Sequence, residues 1–270
     1  MYSLGVNRLG VINTNQFNPA TLFAQGEEGA WYDPSDLFSM FKVDQTTPAV
    51  LGQAVGKILD KSGNGHHLVQ TVESKCPVLR VDDQGAFCLD FTTDDGMRST
   101  DDFLFADNSV TDMSLFTGCT KESTGINQTI MELSNNLGSQ KGCFRILCTS
   151  GELWRVIQKG GFGDGETAVA NTLQTSAVGN PNRSVLSSIA SITAPSHSFK
   201  RNGSAVNSNT ASLGTGTFGN HVLNVGARAD GLSANLDGKI YGVIVRGAFT
   251  DADTRIKVDK YMAMKSGVSF

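Results

Sequence analysis

From residue 78 onward the chain is written in short runs, each closed by turn residues: AFCLDF, MSLFTGCT, TIMELSN, CFRILCTS, LWRVIQ, SVLSSIASI, SFKR, SAVNS, HVLNVGAR and KIYGVIVRGAF. Runs of this length at fairly even spacing, with no long helical pattern between them, predict paired antiparallel sheets in a sandwich or barrel. One join is specified almost residue by residue. In HSFKRNGSAV, Asn202 and Gly203 can both take positive φ, so a two-residue type I′ turn should connect strands carrying Phe199 and Val206. The 30 glycines against only six prolines among 270 residues fit a chain with many tight turns. KIYGVIVRG carries apolar residues on both parities (Ile240 and Ile244, Tyr241, Val243 and Val245), as expected of a strand covered on both faces.

Two helices are predicted at the ends of this pattern. Near the N-terminus, YDPSDLFSMF offers Asp33 as a cap, Pro34 at the first helical position and Leu37, Met40 and Phe41 on one face. Near the C-terminus, Thr250, Asp251 and Asp253 suit a capped first turn; Ile256, Met262 and Met264 recur near helical spacing, and Gly267 can close the end. Residues 1 to about 26 lack clean periodicity and read as an arm that cannot bury much on its own, which puts the domain proper at 31–270 behind an arm of 1–30.

A net charge of −4 gives no basic field for nucleic acid, and no stretch approaches the ~20 apolar residues of a membrane span. Five cysteines at irregular spacings (Cys76, Cys88, Cys119, Cys143, Cys148) read as buried free thiols, with an intermolecular disulfide as the alternative.

The stretch LDKSGNGHHLV crowds chemistry-bearing residues around two glycines. It lacks the lysine of a phosphate loop, and adjacent His66 and His67 diverge on extended backbone, which disfavours zinc. Asp60, Ser62 and Asn64 alternate as in a calcium loop and form the weak candidate metal set, but no glutamate follows at the required spacing. A local turn, with Asp60 and Asn64 bonding nearby backbone while Gly63 and Gly65 take positive φ, is the simpler reading. Asp94, Asp95, Asp101 and Asp102 sit beside turn residues as solvated acids, and KGGFGDGE lacks the strand and helix of a dinucleotide fingerprint. With no nucleophile elbow and no cysteine beside a placed histidine, the sequence predicts no enzyme and no obligatory cofactor. Trp31, Tyr32, Trp154 and Phe162 are weak candidates for stacking on sugar rings, against an ordinary packing role.

The segment AWYDPSDLFSMFKVDQTTPAVLGQAVGKILDKSGNGHHLVQ, with LDFTTDDGM, FKRNGSAV and LDGKIYGVIVRGAFTDADTRIKVDKYMAMKSG, resembles a laminin-G-like, concanavalin A-like domain of tailed-bacteriophage structural proteins over about residues 31–267. It departs from that pattern at His66, where the family has asparagine, and at Thr92, where it has glycine. The resemblance implies an all-β jelly-roll sandwich of two antiparallel sheets with a short N-terminal and one C-terminal helix. It further implies a non-catalytic virion surface protein made in the host cytoplasm. The arm would anchor it to capsid or tail neighbours, as a homo-oligomer. The alternative is a carbohydrate-binding adhesin that contacts host glycans, with or without calcium.

Overall fold

The computed structural model describes residues 17–228 and 234–270. In chain order the strands are β1 (Gly29–Tyr32), β2 (Met40–Phe41), β3 (Lys57–Ile58), β4 (Leu68–Val69), β5 (Val78–Val81), β6 (Phe87–Phe91), β7 (Met97–Ser99), β8 (Asp112–Lys121) and β9 (Gln128–Leu133). They continue as β10 (Cys143–Cys148), β11 (Leu153–Lys159), β12 (Ala170–Ala177), β13 (Asn182–Ser191), β14 (Ser196–Arg201), β15 (Ser204–Asn209), β16 (Leu223–Val225) and β17 (Gly238–Arg246), before the helix α1 (Ala252–Ser266). Sheet A runs β15-β14-β13-β8-β17-β6-β5, with β1 also paired to β17; sheet B runs β12-β11-β10-β9-β16-β7-β4-β3-β2. The strand pairs are antiparallel throughout these two sheets. The run pattern predicts a sandwich or barrel, and the structure is the jelly-roll, concanavalin A-like sandwich that the resemblance implies.

Between the sheets lies the main core, built from residues such as Phe91, Phe103, Phe105, Leu115, Phe144, Ile146, Trp154, Phe199 and Val243. A second apolar layer lies on the far side of sheet A. There Phe116, Val185 and Ile244 meet Val258, Tyr261 and Met262 of α1, together with Leu22 and Phe23. Sheet A is therefore covered on both faces, which explains why β17 is apolar at both parities. Gly118 and Gly242 let the helix come close: a Cβ at Gly118 would lie 3.0 Å from the Ser266 Cβ. The Asn202-Gly203 turn forms as predicted, with φ of 49° and 72°, and Arg201 faces Ser204 across it.

The termini depart from expectation. The C-terminal helix is capped by Asp251, which accepts from the Thr254 N–H at 2.9 Å, and Gly267 closes it at φ 65°. Its buried face is Val258, Tyr261 and Met262 with Arg255 and Asp259, whereas Ile256 and Met264 are exposed. The helix expected over 33–41 shrinks to a 3-10 turn at Leu37–Ser39, capped by Asp36, after which Met40 pairs with Ile58. Asp33 cannot serve as its cap, because its carboxylate is held by Ser35, Tyr261 and Lys265. Of the expected arm over 1–30, residues 1–16 lie outside the described residues, while 17–30 pack on the sandwich. Leu22 and Phe23 are buried, and Gly29 already pairs with Arg246 in sheet A.

All five cysteines are free and buried. Burial pushes the Cys76 thiol up to about 11 and those of Cys88 and Cys143 to about 12. Thiolate is the reactive form, so Ellman's reagent should titrate less than one thiol per native chain within minutes and five after denaturation. Rapid native labelling of even one thiol would contradict this packing.

Candidate functional site

The Asp60 loop is a structural turn whose carboxylate is already saturated with donors. Oδ1 accepts from Trp31 N and Ser62 N, both at 2.9 Å. Oδ2 accepts from Ser62 Oγ at 2.7 Å, Gly65 N at 3.0 Å and His66 N at 3.1 Å. Asn64 turns away, its amide donating to Glu27 O at 3.0 Å and Gly29 O at 2.9 Å, while Gly63 and Gly65 take φ of 101° and 88°. Asp60, Ser62 and Asn64 therefore offer a cation no convergent set of open lone pairs. Among the described residues, no group of three or more His, Cys, Asp or Glu could hold a metal ion. Next to this loop, His66 stacks on Phe103 and its Nε2 meets Glu28 at 2.5 Å, a further brace for the N-terminal strand.

The four aromatic candidates do not converge. Trp31 is buried against Tyr261 and lies under Lys61; Tyr32 is buried and its hydroxyl donates to the His66 carbonyl. Trp154 is wholly buried, with Nε1 donating to Asn182 at 2.9 Å. Phe162 is half-buried against His221, in a glycine-rich segment that bridges to Thr217. Trp31, Tyr32 and Trp154 offer no open ring face for a sugar.

One constellation has the outline of nucleophilic catalysis. Ser188 Oγ lies 2.9 Å from His197 Nε2, and His197 Nδ1 lies 3.1 Å from Asn171 Oδ1. All three side chains point between the sheets, with exposures of 0%, 1% and 4%, and Gln158 donates to the same hydroxyl at 2.9 Å. A substrate carbonyl cannot reach this serine, so the line is a buried polar network rather than a triad.

The outer face of sheet B is buried over β9 and β10 and opens beside Gln70 and Arg98. Two hollows lie along it. The first, about 380 Å³, is bordered by Gln70, Lys75, Asp94, Arg98, Asn224 and Arg228. The second, about 430 Å³, is bordered by Asn127, Arg145, Ser150 and Arg228. Both volumes fall in the ordinary range for small-ligand sites, roughly 300–1,000 Å³. Arg228 is the wall they share. Its Nε lies 3.6 Å from Glu132 Oε2, and the Arg145 Nε lies 3.3 Å from the same oxygen. Glu132 is wholly buried and also accepts from Ser134 at 2.6 Å, while the Arg145 guanidinium donates to Thr129 Oγ1 at 2.6 Å. Asn224 is held by the carbonyls of Glu132 and Ser134, and Arg98 bonds Asn135 at 2.8 Å. Asp95 is bound to Thr92 and its carboxyl is raised, chiefly by burial. The groove thus presents planar amide, guanidinium and carboxylate groups, of which Gln70, Arg98 and Asn224 are held by hydrogen bonds, an array suited to hydrogen-bonding a polyhydroxylated ligand.

The sequence carried a faint signal for this groove. TIMELSN and CFRILCTS each hold one lone charge in an apolar run, and register places the two, Glu132 and Arg145, directly opposite each other. Without the register, neither residue stands out.

No family model matches the chain, and no curated protein sequence matches it. Solved structures do. A botulinum neurotoxin type C structure aligns with 94% of this chain and 53% of its own at 11% identity, TM-score 0.56. The botulinum neurotoxin serotype D/C binding domain aligns with 87% and 52% at 12% identity, TM-score 0.55. The chain thus spans about half the length of these toxin chains. A Ruminococcus gnavus sialidase CBM40 domain aligns with 58% of this chain and 85% of its own at 13% identity, TM-score 0.44. At these identities the likeness to the toxin structures establishes the fold. The tailed-phage resemblance is corrected, and with it the virion surface role, the capsid or tail partners and the virion location. The two toxin structures are of botulinum neurotoxins, and the quoted motifs coincide with fold-forming turns.

Proposed function

We propose that the chain is a non-catalytic carbohydrate-binding module that takes an oligosaccharide along the outer face of sheet B. The observation that carries this reading is the two-hollow groove on sheet B, bordered by Gln70, Asp94, Arg98, Asn224 and Arg228, in which Gln70, Arg98 and Asn224 are held in place by hydrogen bonds. The fold is compatible with such a role: the similar type C toxin is described as entering cells through interaction with two ganglioside molecules.

Glycan-array screening followed by calorimetric titration tests the proposal. Binding is expected in the micromolar to millimolar range, as suits a shallow polar groove. Arg98→Ala should weaken it by about tenfold or more, the loss of one charge-assisted hydrogen bond. Arg98 is exposed, so the melting temperature of the variant should stay close to that of the parent. Failure to bind any glycan on a broad array would overturn the reading.

A further inference from the structure

Sheet A ends in β15 and sheet B in β12, and these two edge strands lie side by side. Asn171 of β12 and Asn209 of β15 exchange amide hydrogen bonds at 2.7 and 3.0 Å and close the seam at one end. Towards the Asn202-Gly203 turn the seam opens into a hollow of about 480 Å³, bordered by Gln174, Thr175, Arg201, Asn202, Ser204 and Val206.

Arg201 brings a charge to the inner face of sheet A. It pairs in register with the core residue Leu186, so its side chain starts on the side that faces sheet B. Its guanidinium is held by neutral oxygens: Nε donates to Ser184 Oγ at 2.9 Å and Nη2 to Asn182 Oδ1 at 3.3 Å. Among the described residues it has no carboxylate partner, and burial pulls its pKa down. The sequence explains the imbalance. The span 167–227, which builds β12 to β16, holds no aspartate or glutamate, while Arg183, Lys200 and Arg201 carry its charges. Arg183 is matched by Asp82 and Asp83. Residues 1–16 contain no acid. Residues 229–233, which include Asp230, leave and rejoin the described chain beside β16 and β9, three to four strands from β12, roughly 14–19 Å. Around Arg201 the side-chain amides are turned as donors. Gln174 Oε1 is occupied by Arg155 Nε at 2.9 Å and Asn202 Oδ1 by Val185 N at 2.8 Å, so each keeps its NH2 group free among the described residues. A half-buried cation ringed by donors lacks the counter-ion that would offset its desolvation.

We infer that this hollow is a second ligand site, taking a small hydroxylated carboxylic acid with its carboxylate on Arg201 and its hydroxyl groups against Gln174, Asn202 and Ser204. One guanidinium balances one negative charge, and its planar donors match a carboxylate better than a doubly charged phosphate. The site is separate from the groove on sheet B and does not depend on the glycan reading.

Glucuronate, with glucose as its neutral counterpart and inorganic phosphate as a second anion, tests the site by titration against the full chain. Glucuronate should bind about tenfold more tightly than either, with the margin over glucose shrinking as salt is raised. Arg201→Gln should abolish that margin. Ser204→Asp tests the same point without removing any packing, because Ser204 is exposed and lies directly across the hairpin from Arg201. The introduced carboxylate should occupy the guanidinium, abolish glucuronate binding and raise the melting temperature by about 2 °C, whereas Ser204→Asn should change neither. Where Arg201→Gln fails to fold, Ser204→Asp decides. Glucuronate binding no tighter than glucose or phosphate, a margin that survives in Ser204→Asp, or a melting point of that variant at or below the parent's would each overturn the inference.

Discussion

Asp60→Ala is expected to lower the melting temperature by about 10 °C, equivalent to about 3–5 kcal/mol at the few degrees per kcal/mol typical of a chain this long. Its carboxylate accepts five hydrogen bonds, four of them from the backbone N–H groups of Trp31, Ser62, Gly65 and His66. Asp60 is 9% exposed, so water cannot replace all of these acceptors. The bonds also span the chain: Trp31 lies in β1, which sits on β17 in the centre of sheet A, while the other partners belong to the loop that leads into sheet B. Asp60→Asn should cost nearly as much, because its amide would set a donor against donors. Ser62→Ala, which removes one of the five bonds, should cost about 1 kcal/mol. Urea and thermal unfolding measure all three. A melting point for Asp60→Ala within 2 °C of the parent would show that the loop is not a brace, and a rise of several degrees on adding millimolar calcium to the parent would restore the cation reading.

The same loop illustrates how much of the fold the sequence exposed. Its turn chemistry, the Asn202-Gly203 hairpin, the two-parity strand β17 and the capped C-terminal helix are all local signals, and each was readable because the residues that specify it are neighbours in sequence. The 33–41 helix failed because its cap was taken by distant partners, Tyr261 and Lys265, which no local pattern reveals. The likeness to phage proteins rested on the same turn and strand signals. Residues such as Asp60 are spent on holding the sandwich together and carry no information about what the sandwich meets. The groove was hidden for the complementary reason. Arg98, Glu132, Arg145, Asn224 and Arg228 are scattered over 131 positions (228 − 98 + 1), and only sheet register assembles them. The aromatic residues misled in the opposite direction: Trp31 and Trp154 are conspicuous in sequence because they fill the interior.

The buried network around His197 predicts the second large effect, a loss of about 4–5 kcal/mol of stability as pH falls from 7 to 3. Burial, reinforced by the positive charge of Arg255, holds the His197 imidazole down at about 3, against 6.5 in the unfolded chain. Between those values the unfolded chain binds a proton that the folded chain refuses, so acid favours unfolding across the whole window, and stability is fully present only above about 6.5. The network is consistent with a neutral ring: Nδ1 donates to Asn171, and Nε2 accepts from Ser188, whose oxygen in turn accepts from Gln158. Carboxylates held low, such as Asp33 and Asp82, also lose their contribution in acid, but only as pH falls below the ordinary carboxylate range. Asp95 and Asp259, held high, act in the opposite sense. Across the span from 6.5 to 5 the unfolded chain takes up a proton that folded His197 refuses, and His67 adds in the same sense because its imidazole is also lowered, chiefly by burial. Denaturant unfolding at a series of pH values should show a slope near one proton there. His197→Gln, which preserves polar contacts without a titrating ring, should flatten it even if the variant is less stable at pH 7. An unchanged slope in that variant would mean that the proton is taken up elsewhere and that the interior of the sandwich admits charge more readily than its packing implies.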